Sequence, residues 1–137
     1  REGRRSEFAA HGWAGADVPD PEDPQTFLRS KLDWSQPGAQ PHAGLLAWYR
    51  ELIALRRSRP ELTDPRLDQV QVRYDEDARW LVITRGRVMI VASLGDVPLE
   101  VPLPEPPVAV LAASRPGVAC GAAAVTMPGA TLAVLDS

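Results

Sequence analysis

The sequence is poor in the residues that build disulfides, metal sites and histidine-based catalytic centres. It has one cysteine, Cys120, and two histidines, His11 and His42, among 137 residues. One cysteine excludes an internal disulfide, and these three side chains are too few for a metal site rich in cysteine or histidine. Because no histidine follows His42, a cysteine–histidine nucleophile is not expected. We expect Cys120 to be a small buried hydrophobe in a reduced, cytoplasmic protein.

Basic blocks, long apolar runs and a recognisable signal peptide are also missing. The net charge is −3 and lysine and arginine form no block, so the composition does not indicate a nucleic-acid partner. No apolar run approaches the roughly 20 residues of a membrane-spanning helix, and no signal peptide is visible. We therefore expect neither nucleic acid nor a membrane as a partner.

Common catalytic motifs are not found either. The sequence contains no G-x-S-x-G elbow, no glycine-rich phosphate loop and no H-E-x-x-H. Four carboxylates lie within residues 14–26, at Asp17, Asp20, Glu22 and Asp23, but their spacing departs from the calcium-loop pattern. We interpret this segment, which also holds three prolines, as a plain acidic loop.

The stretch from His42 to Pro60 is the long segment with a clear helical period. Five of its apolar residues recur at the spacing of one helix face, and two more, Trp48 and Leu55, widen that face. They are Leu45, Leu46, Trp48, Tyr49, Leu52, Ile53 and Leu55. Pro60 disfavours helical geometry at Arg59, so the helix is expected to end there. So wide an apolar face needs a large partner that the upstream sequence does not supply, which suggests a fragment of a larger protein.

After Pro60 the apolar period changes from 3.6 to 2 residues. Seven short segments follow, separated by turn signals, in the pattern of an antiparallel sandwich or barrel. The run Val88–Leu94 is nearly all apolar and is expected to be a central strand, whereas Pro102 indicates an edge strand. Tyr74 and Trp80 occupy the apolar register of their strands, so we expect both to point into a core and this region to serve packing more than ligand binding.

Three phrases of the sequence carry a family resemblance. They are REGRRSEFAAHGW, VPDPEDPQTFLRSKLDW and LLAWYRELIALRRSRPEL. In this order they resemble the C-terminal part of the malto-oligosyltrehalose trehalohydrolase family, which belongs to the α-amylase superfamily of glycoside hydrolases. The helix phrase is shared more widely, with glycogen-branching enzymes among others. The strand region is similar to the superfamily's C-terminal β-domain, so the resemblance covers essentially the whole chain.

The resemblance implies an architecture in two parts. Residues 1–60 would be the end of a (β/α)8 barrel, comprising a loop at the active-site face and the last barrel helix, and residues 61–137 a C-terminal antiparallel β-sandwich. The expected fold class is thus mainly β with an N-terminal helical part. Arg5 and Glu7 are the candidate substrate-binding residues, because the resemblance places residues 1–41 near the active-site face.

The resemblance also implies a reaction. Family members cleave with retention, using an aspartate nucleophile, a glutamate acid/base and a second aspartate, all upstream of Arg1 in the family's order. We therefore assign no catalytic residue here and expect the isolated fragment to be inactive. The parent would hydrolyse the α-1,4 bond next to the terminal trehalose of maltooligosyltrehalose, without a metal or organic cofactor. Two alternatives stay open: another α-amylase relative such as a branching enzyme, and a noncatalytic carbohydrate-binding or packing module.

Overall fold

The computed structural model describes Gly3 and residues 20–137. The chain forms two compact units, residues 1–40 and residues 41–137. In the described part of the first unit, helix α1 spans Pro24–Ser30 and a single 3-10 turn follows at Gln36–Gly38. Helix α1 begins where it does because Asp23 caps its N-terminus and the fixed φ of Pro24 suits the first helical position.

The second unit, which is described in full, contains one long helix and eight strands. The helix α2 spans His42–Ser58, and the connector behind it holds 3-10 turns at Pro60–Leu62 and Leu67–Gln69. The strands are β1 (Val70–Asp75), β2 (Trp80–Arg85), β3 (Val88–Ser93), β4 (Leu99–Pro102), β5 (Ala109–Ala113), β6 (Ala119–Cys120), β7 (Ala124–Met127) and β8 (Thr131–Asp136). Arg59 is extended, with φ −119° and ψ 109°, so the expected end of the helix before Pro60 is confirmed.

The strands form two antiparallel sheets. The larger sheet has the order β1-β2-β3-β8-β5 and the smaller one the order β4-β7-β6. Strand β3 is central and β4 lies at an edge, as the apolar run and Pro102 predicted. The predicted class, mainly β and antiparallel with helix in the N-terminal part, is confirmed. The sequence pattern missed β6, a two-residue strand in an alanine-rich stretch.

A two-residue turn sets the register of the central hairpin. Arg85 of β2 pairs with Val88 of β3, which leaves Gly86 and Arg87 as the loop. Gly86 has φ +55°, a left-handed conformation that glycine adopts without a Cβ clash. With this register, Val82 lies opposite Val91, and alternate side chains of both strands point between the sheets.

The main core lies between the two sheets. Its buried apolar residues come from five strands and the segment after β4: Trp80, Val82, Met89, Val91, Val101, Leu103, Val125, Met127, Ala133 and Leu135. Eight of them are completely inaccessible to solvent or nearly so, as expected for close packing of two sheets. The expected burial of Trp80 is confirmed, since only 8% of its surface is exposed.

Helix α2 packs on the opposite face of the larger sheet. Its side chains Trp48, Leu52 and Leu55 contact a second buried cluster that is built on Val88, Ala112 and Val134. This spacing of four and three residues is one stripe of a helix. Two of these residues, Trp48 and Leu55, are the ones that the periodicity treated as a widening of the apolar face, and Leu52 belongs to the main face. Their packing makes α2 part of the same compact unit as the sheets.

The expectation that Tyr74 points into a core is wrong. Its side chain is 64% exposed, and Val72 on the same face of β1 is 53% exposed. The reason is the position of β1 at the edge of the larger sheet, where only Val70 is partly covered. Alternation in a strand shows which residues share a face, but it does not show whether another layer covers that face.

The expectation that Cys120 is buried is also wrong. Cys120 is a free, exposed thiol on β6. Strand β6 pairs only with β7, through Cys120 opposite Val125 and Ala119 opposite Thr126, and both β6 residues are exposed. A short edge strand buries little side-chain surface, whatever its residue types.

Among residues 20–137 and Gly3, no helix is long and apolar enough to cross a membrane.

Candidate functional site

The predicted substrate-binding residues, Arg5 and Glu7, lie outside the described residues. Their role stays a prediction. The functional features that the structure does describe fall into two groups: the segment around α1 in the first unit, and the helix, connector and sheet face of the second.

The carboxylates at the end of the acidic loop bond to the backbone of their own loop. Asp20 Oδ1 accepts from Glu22 N at 3.1 Å, and Asp23 Oδ1 accepts from Gln25 N at 2.8 Å. The second of these bonds caps α1. Within residues 20–137 and Gly3, no group of three or more His, Cys, Asp or Glu side chains is placed to hold a metal ion. The described part of the loop is thus organised around a helix start.

Two large aromatic side chains are exposed on either side of the end of α1. Phe27 is 65% and Trp34 is 82% exposed. The Lys31 ammonium lies 5.1 Å from the centroid of the Phe27 ring, within the range of a cation–π contact. The Asp33 carboxylate accepts from the backbone and the hydroxyl of Ser35, at 3.0 and 2.7 Å. Exposed rings beside hydrogen-bonding groups can hold a sugar by stacking and by polar contacts.

The Ser35 hydrogen bonds also affect the acidity of Asp33. Because both favour the carboxylate, they lower the pKa of Asp33 below its ordinary value. Asp33 is therefore charged at neutral pH and accepts hydrogen bonds only.

A second apolar stripe of α2 lies beside the packed stripe and is exposed. It consists of Leu45, Tyr49 and Ile53, which are 57%, 58% and 48% exposed. These residues recur every four positions, so they form a continuous ridge along the helix. We call this ridge the free stripe of α2. Exposed contiguous apolar surface of this kind typically marks an interaction surface.

The end of α2 is held to the sheet by ion pairs. The Arg59 guanidinium donates from Nη1 and Nη2 to Asp136 Oδ1 and Oδ2, at 3.4 and 3.3 Å. Arg87 Nε, in the β2–β3 turn, lies 3.8 Å from Asp136 Oδ1. The Asp136 side chain is only 15% exposed, so this fork is better shielded than a surface pair. These ion pairs orient the helix on the sheet, and so they also set the direction in which the free stripe points.

The connector after α2 and the β2–β3 turn enclose a pocket of about 290 Å³. Its lining is mostly charged or polar: Pro60, Glu61, Asp64, Arg66, Gln69, Arg85 and Gly86. The guanidinium of Arg85 donates to the backbone carbonyl of Asp64. Sequence reasoning did not find this pocket, because Glu61 and Arg85 are 24 positions apart and carry no motif. Only the pairing of the strands brings them together.

The Asp64–Arg66 pair inside this connector gives a prediction about acidity. Arg66 donates from Nε and Nη2 to the Asp64 carboxylate, at 3.0 and 2.6 Å. These hydrogen bonds lower the pKa of Asp64 to about 2. A depressed carboxyl pKa contributes stability above the unfolded value near 3.8, and this contribution is lost as the pH falls through 2. We expect an NMR titration of the carboxyl carbon to give about 2, and Arg66→Ala to return it towards 3.8. An unchanged midpoint in Arg66→Ala would contradict the assignment.

The fold assigns this chain to the class of β-domains found in α-amylase-related enzymes. It matches a crystal structure from Salmonella typhimurium that is provisionally assigned as an alpha amylase, with a TM-score of 0.75 and 31% sequence identity. That match covers 100% of this chain and 23% of the Salmonella chain. Helix α2 and both sheets thus correspond to one part of a much larger protein.

The chain belongs to the family described as "Domain of unknown function (DUF3459)", whose model matches residues 65–134. Its sequence is 54% identical over 101 residues to a malto-oligosyltrehalose trehalohydrolase of Mycobacterium tuberculosis, and 46% identical over 134 residues to one of Rhizobium sp.. These alignments cover 74% and 98% of this chain. The chain spans only 17% and 22% of the two relatives. The resemblance inferred from the three sequence phrases is confirmed.

Proposed function

We propose that this chain is the C-terminal part of a glycoside hydrolase that releases trehalose. The reaction is hydrolysis of the α-1,4 bond next to the terminal trehalose of maltooligosyltrehalose. The observation that carries the proposal is the 46% identity to the Rhizobium trehalohydrolase, because it extends over 98% of the chain rather than over the β-domain alone. The exposed Phe27 and Trp34 support it, since they lie in the segment that the resemblance places near the active-site face.

In this proposal the chain supplies an active-site-face loop, the closing barrel helix and the β-sandwich. Residues 1–60 would complete the barrel and residues 61–137 would form the C-terminal domain. The two stripes of α2 support this role: one packs on the sheet, and the free stripe is available for barrel strands. A barrel helix must cover strands along one side. The reaction needs no metal or organic cofactor, and we expect it to take place in the cytoplasm.

The free stripe gives a prediction for the full-length enzyme. If barrel strands cover it, Ile53→Ala removes buried surface and lowers stability by about 2 kcal/mol or more. Thermal unfolding of the full-length protein measures this. Leu67→Ala is the matched control, because Leu67 is 82% exposed and its truncation should change stability by no more than about 0.5 kcal/mol. Equal midpoints for Ile53→Ala and Leu67→Ala would show that the barrel does not cover the stripe.

Arg5 and Glu7 give a kinetic prediction. If they bind substrate, Arg5→Ala and Glu7→Gln lower kcat/KM for maltooligosyltrehalose by about tenfold or more, since charged hydrogen bonds contribute about 1.5–3 kcal/mol. Their thermal midpoints should stay at the parental value. A loss of stability together with activity would mean that the two side chains hold the structure instead.

The assay that tests the proposal compares two substrates with the full-length enzyme. With maltooligosyltrehalose, we expect trehalose to be released. With amylose, we expect no new α-1,6 branch points. Branching of amylose without trehalose release would replace the proposal with a branching enzyme. Binding of both glucans without any reaction would favour a noncatalytic module.

A further inference from the structure

We propose that the β1–β2 turn carries a second binding site for linear α-glucan chains, built around Tyr74. The choice of an α-glucan as the ligand rests on the proposed function, whereas the site itself rests on geometry. Tyr74 is 64% exposed on the outer face of the larger sheet, where sequence reasoning had placed it in a core. A ring that extends from a paired strand and is left open to solvent offers an accessible surface for stacking.

The surroundings of Tyr74 form a shallow concavity of about 410 Å³. Leu81 lies directly across from Tyr74 in the strand pairing, and Leu94, which is 59% exposed, and Trp80 complete the apolar lining. Asp75, Glu76 and Arg79 complete the rim. The volume and the mixture of apolar floor and polar rim are those of a small-ligand site.

The rim is held in place by the turn. Asp75 Oδ1 accepts from Ala78 N at 2.8 Å, and the carbonyl of Arg79 accepts from Leu94 N at 2.8 Å. Arg79 has φ +59°, a left-handed conformation that is uncommon for a residue with a side chain. Such backbone strain persists where the surroundings impose it, and it concentrates at functional sites. The turn therefore fixes the backbone from which the Glu76 and Arg79 side chains extend to the rim of the concavity.

This chemistry suits a pyranose better than a protein surface. A sugar ring presents C–H groups on its faces, which pack on an aromatic ring, and hydroxyls on its edge, which both donate and accept. Carboxylates accept from those hydroxyls and a guanidinium donates to them. Protein–protein contacts, in contrast, are depleted in aspartate and glutamate at their centres. A maltooligosaccharide held here would tether the enzyme to the chains that carry its substrate.

The experiment uses the full-length enzyme in native gels that contain amylose, where retardation gives the dissociation constant. We expect Tyr74→Ala to raise that constant about tenfold, and Tyr74→Phe, which keeps the ring, to hold it within about twofold. Val72→Ala is the matched control, because Val72 lies two residues away on the same face, is 53% exposed and does not line the concavity. It should leave retardation unchanged.

Arg79→Gly separates binding from folding. Glycine adopts the left-handed conformation without strain, so the thermal midpoint should stay level or rise while amylose binding weakens about threefold. Unchanged retardation in both Tyr74→Ala and Arg79→Gly would overturn the site. Lower thermal midpoints for Val72→Ala and Tyr74→Ala with unchanged retardation would also overturn it, and would show that this face contacts another domain instead.

Trehalose release by the unaltered enzyme is measured in parallel. If it fails while Tyr74-dependent retardation remains, the proposed function falls and the glucan site stands.

Discussion

The 137-residue chain, purified alone, is expected to release no trehalose from maltooligosyltrehalose, at any enzyme concentration at which the full-length protein is active. The reason is chemical. Retaining cleavage of a glycosidic bond needs a carboxylate nucleophile and a carboxylic acid about 5–5.5 Å apart on opposite sides of that bond. The family resemblance places all three acidic catalytic residues upstream of Arg1. A chain without the catalytic acid and the nucleophile has no groups that can cleave the bond, so we expect no turnover rather than slow turnover.

The control for this result is the full-length enzyme at the same molar concentration. Trehalose is measured enzymatically over time, with the 137-residue chain preparation checked for folded β-structure by circular dichroism. Sustained turnover by the pure chain would show that its own residues carry the chemistry, and the assignment of the catalytic carboxylates upstream would be wrong.

Trp80→Ala is expected to destabilise the β-domain of the full-length enzyme by about 3–5 kcal/mol, the usual range for truncating a buried aromatic residue. Trp80 lies in the core between the two sheets and is 8% exposed. Its removal leaves a cavity near Val82 and Val91. Because strands β2 and β3 are paired in a fixed register, the neighbouring side chains cannot move in to fill this cavity. Thermal unfolding of the full-length enzyme measures the loss.

Trp34→Ala is the matched control for Trp80→Ala, because the same truncation occurs at a residue that is 82% exposed. It should change stability by no more than about 0.5 kcal/mol. If Trp80→Ala were equally neutral, the role of Trp80 in holding the two sheets together would be wrong.

Local pattern was sufficient to predict most elements of the fold. Residues close together in the sequence are enough to recognise the helical period of residues 42–58, the proline that ends it and the alternation after residue 69. The central position of β3 also followed from composition, because a strand covered on both faces needs apolar residues at consecutive positions. The end of α2 was predictable because the restriction before a proline is steric and local.

The remaining features depend on contacts between distant parts of the chain. Nothing near Tyr74 shows that β1 is an edge strand, since this depends on which strands pair in the completed sheet. The choice of Trp48, Leu52 and Leu55 as the stripe that packs on the sheet likewise depends on where α2 lies on that sheet. Periodicity finds an apolar face, but it cannot divide a wide face between two partners.

The candidate substrate-binding residues could be predicted only from the family resemblance. Arg5 and Glu7 come from the family phrase at the start of the chain and stay predictions. The concavity at Tyr74 and the pocket between Glu61 and Arg85 were not predictable, because each combines residues from separate elements. Their residue types are individually ordinary, and only the turn geometry and the strand register place them together.

The measurement that tests the central claim most directly is the product balance of the full-length enzyme on a maltooligosyltrehalose of defined length. Mass spectrometry and chromatography quantify trehalose and the remaining maltooligosaccharide at each time point. The account predicts equal molar amounts of trehalose and of a linear maltooligosaccharide shorter than the substrate by those two glucose units. Glucan products that carry new branches, or cleavage at internal bonds without free trehalose, would contradict it.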